Sequence, residues 1–292
     1  MILKLKPLYY EKVWGGHKLK DDYNFPCSNK TGEAWGISGH KSGSSIVENG
    51  IYKGKTLREL YHSQRSLFGN YSTDEFPILI KVIDAMDDLS IQVHPDDLYA
   101  KKYENSLGKT ECWYILDADR DSDIIIGHKA KTIEEFKRYV DNNDFESVLN
   151  IFPIKPGDQF NIYSGTIHAI RKGTVLLEIQ QSSDITYRLY DYNRLSNGKL
   201  RELHLSKALD VIKCPDTTLA TEKPIHLFDY HILENIETSK QTSHKYGDYI
   251  FILEGSAKFN DVLVKKGDFI MVTAKDNYAI EGNIKYFKSH IN

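Results

Sequence analysis

Apolar positions along the chain fall mostly in short runs broken by polar turn residues. Runs at 77–83, 113–116, 124–126, 159–162, 175–180 and 185–190 are rich in β-branched and aromatic residues and are bounded by Gly, Pro, Asp and Asn, which is the pattern of strands. Residues 1–8 alternate charged and apolar side chains and read as a first strand. Beyond about residue 227, strand and tight turn alternate at short spacing. The units are 249–253, a Glu254-Gly255 turn, 256–259, an Asn260-Asp261 turn, 262–264, a turn through Gly267-Asp268, and 269–272. That rhythm belongs to an antiparallel barrel or jelly roll. Helical signals are few. Thr56-Leu57-Arg58-Glu59 and Thr132-Ile133-Glu134-Glu135 are capping boxes followed by apolar residues at helical spacing. Asp144 reads as the cap of a third helix ended by Pro153, and Ser206 as the cap of a fourth running to Val211.

One internal echo sets the domain expectation. Ile154-Lys155-Pro156-Gly157-Asp158-Gln159-Phe160 resembles Val264-Lys265-Lys266-Gly267-Asp268-Phe269-Ile270, each a Gly-Asp turn feeding a strand. The expectation is a mainly β fold of two jelly-roll barrels. Residues 1–220 form the catalytic unit with a few inserted helices, and 221–292 form a smaller C-terminal unit. The boundary falls in the polar stretch 214–224.

Composition narrows the partners. Of 292 residues, 40% are hydrophobic and 27% charged, the balance of an ordinary globular protein. No run approaches the ~18 apolar residues of a membrane span, and the N-terminal segment lacks the apolar core of a signal peptide. A cytoplasmic protein without a membrane partner is expected. Cys27, Cys112 and Cys214 are far apart, so neither a disulfide framework nor a thiolate zinc site is expected. The net charge of −3, with no block of like charge, argues against nucleic acid and leaves a small anionic ligand open.

Three segments concentrate metal-binding side chains. In Ser90-Ile91-Gln92-Val93-His94-Pro95-Asp96, period two places Gln92 and His94 on one face before Pro95 stops the strand, and Asp96 opens a short helix through Lys102. In Lys109-Thr110-Glu111-Cys112-Trp113, Lys109 and Glu111 share a face. In Ser164-Gly165-Thr166-Ile167-His168, Gly165 permits a turn that delivers His168 into the next strand. A lone strand histidine is more often a hydrogen-bonded core residue. Two histidines, a carboxylate and an amide oxygen at three strand ends form a set that zinc, iron(II), manganese or cobalt accepts. Lys81, in the apolar run Ile78-Leu79-Ile80-Lys81-Val82, must face outward or meet a polar cavity.

A Gln-X-His-Pro-X-Asp strand end, a Lys-X-Glu strand, a Gly-Thr-X-His-Ala strand and a later Ser-Asp-X-X-X-Arg resemble the mannose-6-phosphate isomerases of the cupin superfamily, in their short bacterial form. Val13-Trp14-Gly15-Gly16, Gly32-Glu33-Ala34-Trp35-Gly36-Ile37-Ser38 and Phe76-Pro77-Ile78-Leu79-Ile80-Lys81 resemble further blocks of that family. After about residue 227 the likeness is one of barrel character alone. The resemblance implies two cupin-type jelly-roll barrels and one Zn2+ per chain held by Gln92, His94, Glu111 and His168. It implies an active-site arginine at Arg188, substrate lysines at Lys81 and Lys109, the latter also catalytic, and proton transfer by Asp184 or by the metal-proximal His94, between which the sequence does not choose. Trp14 and Trp35 are either carbohydrate platforms or core residues. The second barrel, 246–282, contains no histidine and cannot repeat the metal site.

The implied reaction interconverts mannose 6-phosphate and fructose 6-phosphate through an enediol, which needs a base and positive charge at the developing oxyanion. The implied partner is a small hexose phosphate, and the protein would be a monomer or small homo-oligomer. Two competing readings use the same barrel. A metal-dependent cupin oxygenase would use the two histidines and carboxylate with iron(II), but gives no role to Lys81, Lys109 and Arg188. A non-catalytic sugar-binding cupin would be expected to lose ligands that this chain keeps.

Overall fold

The computed structural model describes residues 1–196, 198–217 and 225–292. The expected domain boundary at 220/221 lies outside the described residues. The fold is mainly β, built from three large antiparallel sheets and a small hairpin of Leu195–Ser196 with Lys199–Leu200. The middle layer is a seven-stranded sheet whose long strands are Leu8–Gly16, Thr31–His40, Ile78–Ala85, Glu111–Ala118 and Thr174–Gln181. Every residue of Thr31–His40 and Ile78–Ala85 is buried, because the sheet is covered on both faces.

Period-two alternation sends the two faces to different partners. Ile80, Val82, Cys112, Tyr114, Leu177 and Ile179 join one core with Leu3, Leu5, Tyr249, Phe251, Phe269, Met271 and Phe287 of the eight-stranded sheet. The alternate positions Ile83, Trp113, Ile115 and Leu176 pack with Ile124, Ile126 and Ile170 of a five-stranded sheet. The outer face of that smaller sheet is covered by Phe136, Phe145, Val148 and Ala208 from short helices. The eight-stranded sheet gathers a further core of Ile250, Ile252, Phe259, Val264, Ile270, Ile280 and Tyr286 on its other face.

The echoed Gly-Asp turns are the same structure twice. Gly157 (φ +95°) and Gly267 (φ +90°) take the left-handed conformation that favours glycine. Asp158 accepts from the Lys155 amide at 2.9 Å, and Asp268 from the Lys265 amide at 2.9 Å. The glycine amides bond Ile115 and Ile252 carbonyls at 2.8 and 2.9 Å.

Several local expectations are corrected. Glu254-Gly255 is not a turn: one strand runs Asp248–Phe259, with a register shift between Ile252 and Glu254 and Gly255 at φ +78°. Such a shift bends the strand and lets it continue. The helix after Asp144 ends at Val148, and Leu149–Pro153 is an edge strand. The last helix, Leu205–Val211, follows His204, and Ser206 lies inside it. The Thr56 capping box is complete. At Thr132 the hydroxyl caps the Glu135 amide, but Glu135 bonds Lys131. The residue 1–8 strand forms as Ile2–Lys6, yet pairs with Phe269–Val272 and so belongs to the sheet of C-terminal strands.

Candidate functional site

Two cross-strand rows face each other between the middle and five-stranded sheets. In the middle sheet, Trp35, Lys81, Glu178, Trp113 and Phe160 are successive register partners. In the five-stranded sheet the row is Arg188, Gln92, His168 and Ile126. The indole of Trp113 meets the His168 ring edge-on, at 5.6 Å between centroids.

Sequence-local features deliver the donors. His94 follows the strand Ile91–Val93, on the Gln92 face, and its carbonyl accepts from the Gly165 amide at 2.8 Å. Gly165 (φ +83°) makes the turn that sets His168 at the head of its strand. Pro95 bonds the Lys109 amide at 3.0 Å, and Asp96 caps the helix Asp97–Glu104. His94, Glu111 and His168 are fully buried, and their donor atoms lie within 4.8 Å of one another.

The protonation pattern explains what these donors want. The Thr166 carbonyl can only accept, so at 2.9 Å it takes the Nδ1 proton of a neutral His168 and leaves Nε2 bare. The Lys109 ammonium can only donate, so at 3.1 Å it meets a bare Nε2 on His94. Burial, reinforced by the Lys109 charge, pushes His94 well below its ordinary value and His168 down to about 4. Two bare nitrogens therefore stand 3.1 Å apart, and each is 3.5 Å from a different oxygen of Glu111. Lone pairs at such separations repel unless a cation lies among them. A tetrahedral ion with bonds of about 2.0–2.1 Å has edges of about 3.3–3.4 Å, so the donor spacing fits a transition-metal ion. Gln92 continues the pattern at 3.3 Å from His168. Its amide nitrogen points there while Ser90 donates to its oxygen at 3.1 Å, so ligation requires the amide to turn over.

Beneath the donors lies a buried ion network. Lys109 donates to Glu111 at 2.6 Å and stands 3.6 Å from Glu178. Lys81 is 3.0 Å from Glu178 and 3.8 Å from Glu33, and Lys12 is 3.1 Å from Glu33. The Trp113 indole N–H bridges Glu111 at 3.1 Å and Glu178 at 3.0 Å. Burial and the neighbouring Glu178 raise Glu111. Burial also works against ionised Glu178 and Glu33, but the lysines outweigh it; Glu178 stays low and Glu33 is held at about 2.

The cavity above this network is lined by Trp14, Lys81, Gln92, Lys109, Asp184 and Arg188, among others. All six therefore meet in one place with the histidine triad below them. Trp14 is also embedded in the core with Ile83 and Leu89. Asp184 sits half-exposed at the rim, bonded by Ser42 at 3.1 Å. Among the described residues Arg188 pairs with no carboxylate, and its buried Nε has no hydrogen-bond partner. Sequence reasoning missed Lys12, Glu33, Glu178 and Arg201, all of which line the cavity. Glu178 carried a signal: like Lys81, it is a charge with apolar residues on both sides of it in its strand. The family resemblance of Gly32-Glu33-Ala34-Trp35 gives its glutamate no role.

Comparison with known proteins agrees with this geometry. The profile of the family described as "Phosphomannose isomerase type I, catalytic domain" matches residues 2–143. The chain is 51% identical to mannose-6-phosphate isomerase ManA of Bacillus subtilis (strain 168) over 216 residues, 73% of this chain and 68% of that protein. It is 37% identical to the mannose-6-phosphate isomerase of Streptococcus mutans, covering 99% of this chain and 98% of that one. The crystal structure of a mannose 6-phosphate isomerase from Bacillus subtilis superposes with a TM-score of 0.94 at 39% identity, covering 99% of both chains.

Proposed function

The chain belongs to the type I phosphomannose isomerase family, and from that premise we propose that it interconverts mannose 6-phosphate and fructose 6-phosphate in the cavity between the two facing rows. The observation that carries the proposal is a buried His94–Glu111–His168 triad with bare, tetrahedrally spaced donors, under a cavity that also holds Lys81, Lys109 and Arg188.

His94, Glu111 and His168 hold one metal ion, with Gln92 as a fourth ligand, and the nitrogen–oxygen donor set suits Zn2+. When bound, the ion supplies Lewis-acid polarisation of sugar oxygens. The chain's own groups do the rest. Arg188, beside Gln92 and without a carboxylate partner, stabilises the oxyanion that develops as the C2 proton leaves. Asp184, at the rim, takes the C2 proton as a carboxylate base and, as the resulting acid, returns it to C1. Lys109 has two carboxylate partners, Glu111 and Glu178, so its ammonium can be drawn from the triad toward Glu178 or a sugar hydroxyl without losing all compensation. Lys81 fixes the floor and presents positive charge to substrate hydroxyls. Trp14 closes the base of the cavity as an apolar contact for the sugar. The catalytic unit is residues 1–220, the C-terminal unit 221–292 is its scaffold, and the enzyme works in the cytoplasm. Among the described residues no helix is long and apolar enough to cross a membrane.

The test is fructose 6-phosphate formation from mannose 6-phosphate, with bound metal quantified, before and after chelation. Turnover lost on chelation, restored by zinc and absent from a folded His168→Ala supports the reading. Stoichiometric metal without hexose-phosphate turnover, or oxygen uptake with ferrous iron, sinks it.

A further inference from the structure

The charges around the cavity are unevenly distributed. On the floor, Lys12, Lys81 and Lys109 face Glu33, Glu111 and Glu178 within 2.6–3.8 Å, three of each sign. On the opposite side Arg188 and Arg201 both line the cavity, and Arg194 shares a carboxylate with Arg201. Among the described residues one buried carboxylate serves that side. Asp191 Oδ1 accepts from Arg194 Nη2 at 2.6 Å and from Arg201 Nη1 at 3.0 Å, and Asp191 is 4% exposed. The other acids near these arginines, Asp87 and Glu202, are largely in solvent and screened. Three partly buried guanidiniums against one buried carboxylate leave an uncompensated positive region, and burial makes it attractive to a compact anion.

Position separates the arginines. Arg188 is the register partner of Gln92, beside the triad. Arg201 lies beyond the Lys199–Leu200 strand. Of the floor carboxylates, Glu33 is the one whose charge reaches Arg201, and Glu33 stands at the far end of the chain of pairs that runs from Glu111 through Lys109, Glu178 and Lys81. Arg201 thus faces the Glu33 end of that chain of pairs, and its charge also reaches Arg188.

Resting on the hexose-phosphate reading above, we propose that Arg201 is the phosphate-binding residue of this cavity and that Asp191 is the positioning residue that aims it. Asp191 engages Nη1 and leaves the remaining edge of the guanidinium fork for phosphate oxygens, the geometry in which arginine grips an anion with two parallel hydrogen bonds. The sugar's C1–C2 end then lies toward Arg188 and the triad.

The test measures inorganic phosphate binding by calorimetry on the metal-loaded protein, alongside kcat and KM for mannose 6-phosphate. Arg201→Gln is expected to weaken phosphate binding and raise KM by roughly 10- to 100-fold, with a smaller effect on kcat. Arg201→Lys keeps the charge but loses the fork, and is expected to fall between the two; it also serves if the glutamine variant does not fold. Asp191→Asn removes a negative charge, so by charge alone it would strengthen anion binding. Weakened phosphate binding in this variant supports aiming, and strengthened binding overturns it. Phosphate affinity and KM unchanged in Arg201→Gln, with normal turnover, overturn the assignment while the isomerase reading stands. Phosphate binding lost in Arg201→Gln, in a protein that never turns over mannose 6-phosphate, leaves this assignment in place and removes the isomerase reading.

Discussion

Lys81 and Glu178 are register partners on neighbouring antiparallel strands, and their side chains form a 3.0 Å ion pair that is almost wholly shielded from solvent. Each is a charge with apolar residues on both sides of it in its strand, and each makes the other tolerable there. Removing one partner leaves the other buried with only a longer ion pair, Glu178 with Lys109 at 3.6 Å or Lys81 with Glu33 at 3.8 Å. Lys81→Met is expected to lower unfolding free energy by about 3–5 kcal/mol, as is Glu178→Met. The double variant, with both charges gone, is expected to cost less than the sum. Urea denaturation of the four proteins measures this, and strictly additive costs would contradict the pairing.

Acid stability should depend on Glu33. Burial favours its neutral form, but Lys81, Lys12 and the Trp35 indole N–H outweigh it and hold the carboxyl at about 2, below its ordinary 4.5. The folded state therefore binds the proton less well than the unfolded chain. The resulting stabilisation is complete above pH 4.5 and is lost as pH falls from 4.5 through 2. It amounts to about 3 kcal/mol at most. Glu33→Gln should be less stable at neutral pH and show a flatter decline on acidification. An acid limb as steep as that of the parent protein would show that other groups control it.

The metal donors should rank unequally. His168→Ala removes a donor whose tautomer is fixed by Thr166, and stoichiometric metal is expected to be absent after dialysis. Gln92→Leu removes an amide whose oxygen is engaged by Ser90, and affinity is expected to fall only about 10–100-fold, the scale of a supporting group. Competition with a chromophoric chelator gives both numbers. Equal losses would place Gln92 on a par with the histidine.

The contact between the middle and eight-stranded sheets is tight at Gly36. A Cβ there would fall within the Phe269 ring. Gly36→Ala is expected to cost about 1–3 kcal/mol through overpacking, although alanine suits a strand as well as glycine does. Phe269→Leu should relieve part of it in a double variant. An alanine variant with an unchanged thermal transition would mean that the layers can part freely.

What was readable in the chain was local. Period two put Gln92 and His94 on one face and Lys109 with Glu111 on another, and Gly165 announced the turn that seats His168. The paired Gly157-Asp158 and Gly267-Asp268 turns were visible because a side chain bonding three residues back needs fixed chemistry at fixed spacing. Partnerships across the sheets were not readable. Nothing near Glu33 shows that Lys12 and Lys81 will meet it, and nothing in Arg201 shows that Asp191 will hold it ten residues away. Gly255 misled for a related reason: a left-handed glycine serves a bulge as well as a turn, and only the partner strand decides between them.

Because Ile2–Lys6 pairs with Phe269–Val272, the order of synthesis and the order of assembly are opposed. The earlier segment waits for one made more than 260 residues later, so closing that pair carries the entropy of a very long loop. Until it closes, Leu3 and Leu5 are missing from the core that backs Lys81 and Glu178. Assembly of the ion network is in this way tied to the synthesis of residues 269–272. A nascent chain halted before residue 269 would hold every metal donor yet lack the layer that keeps them rigid.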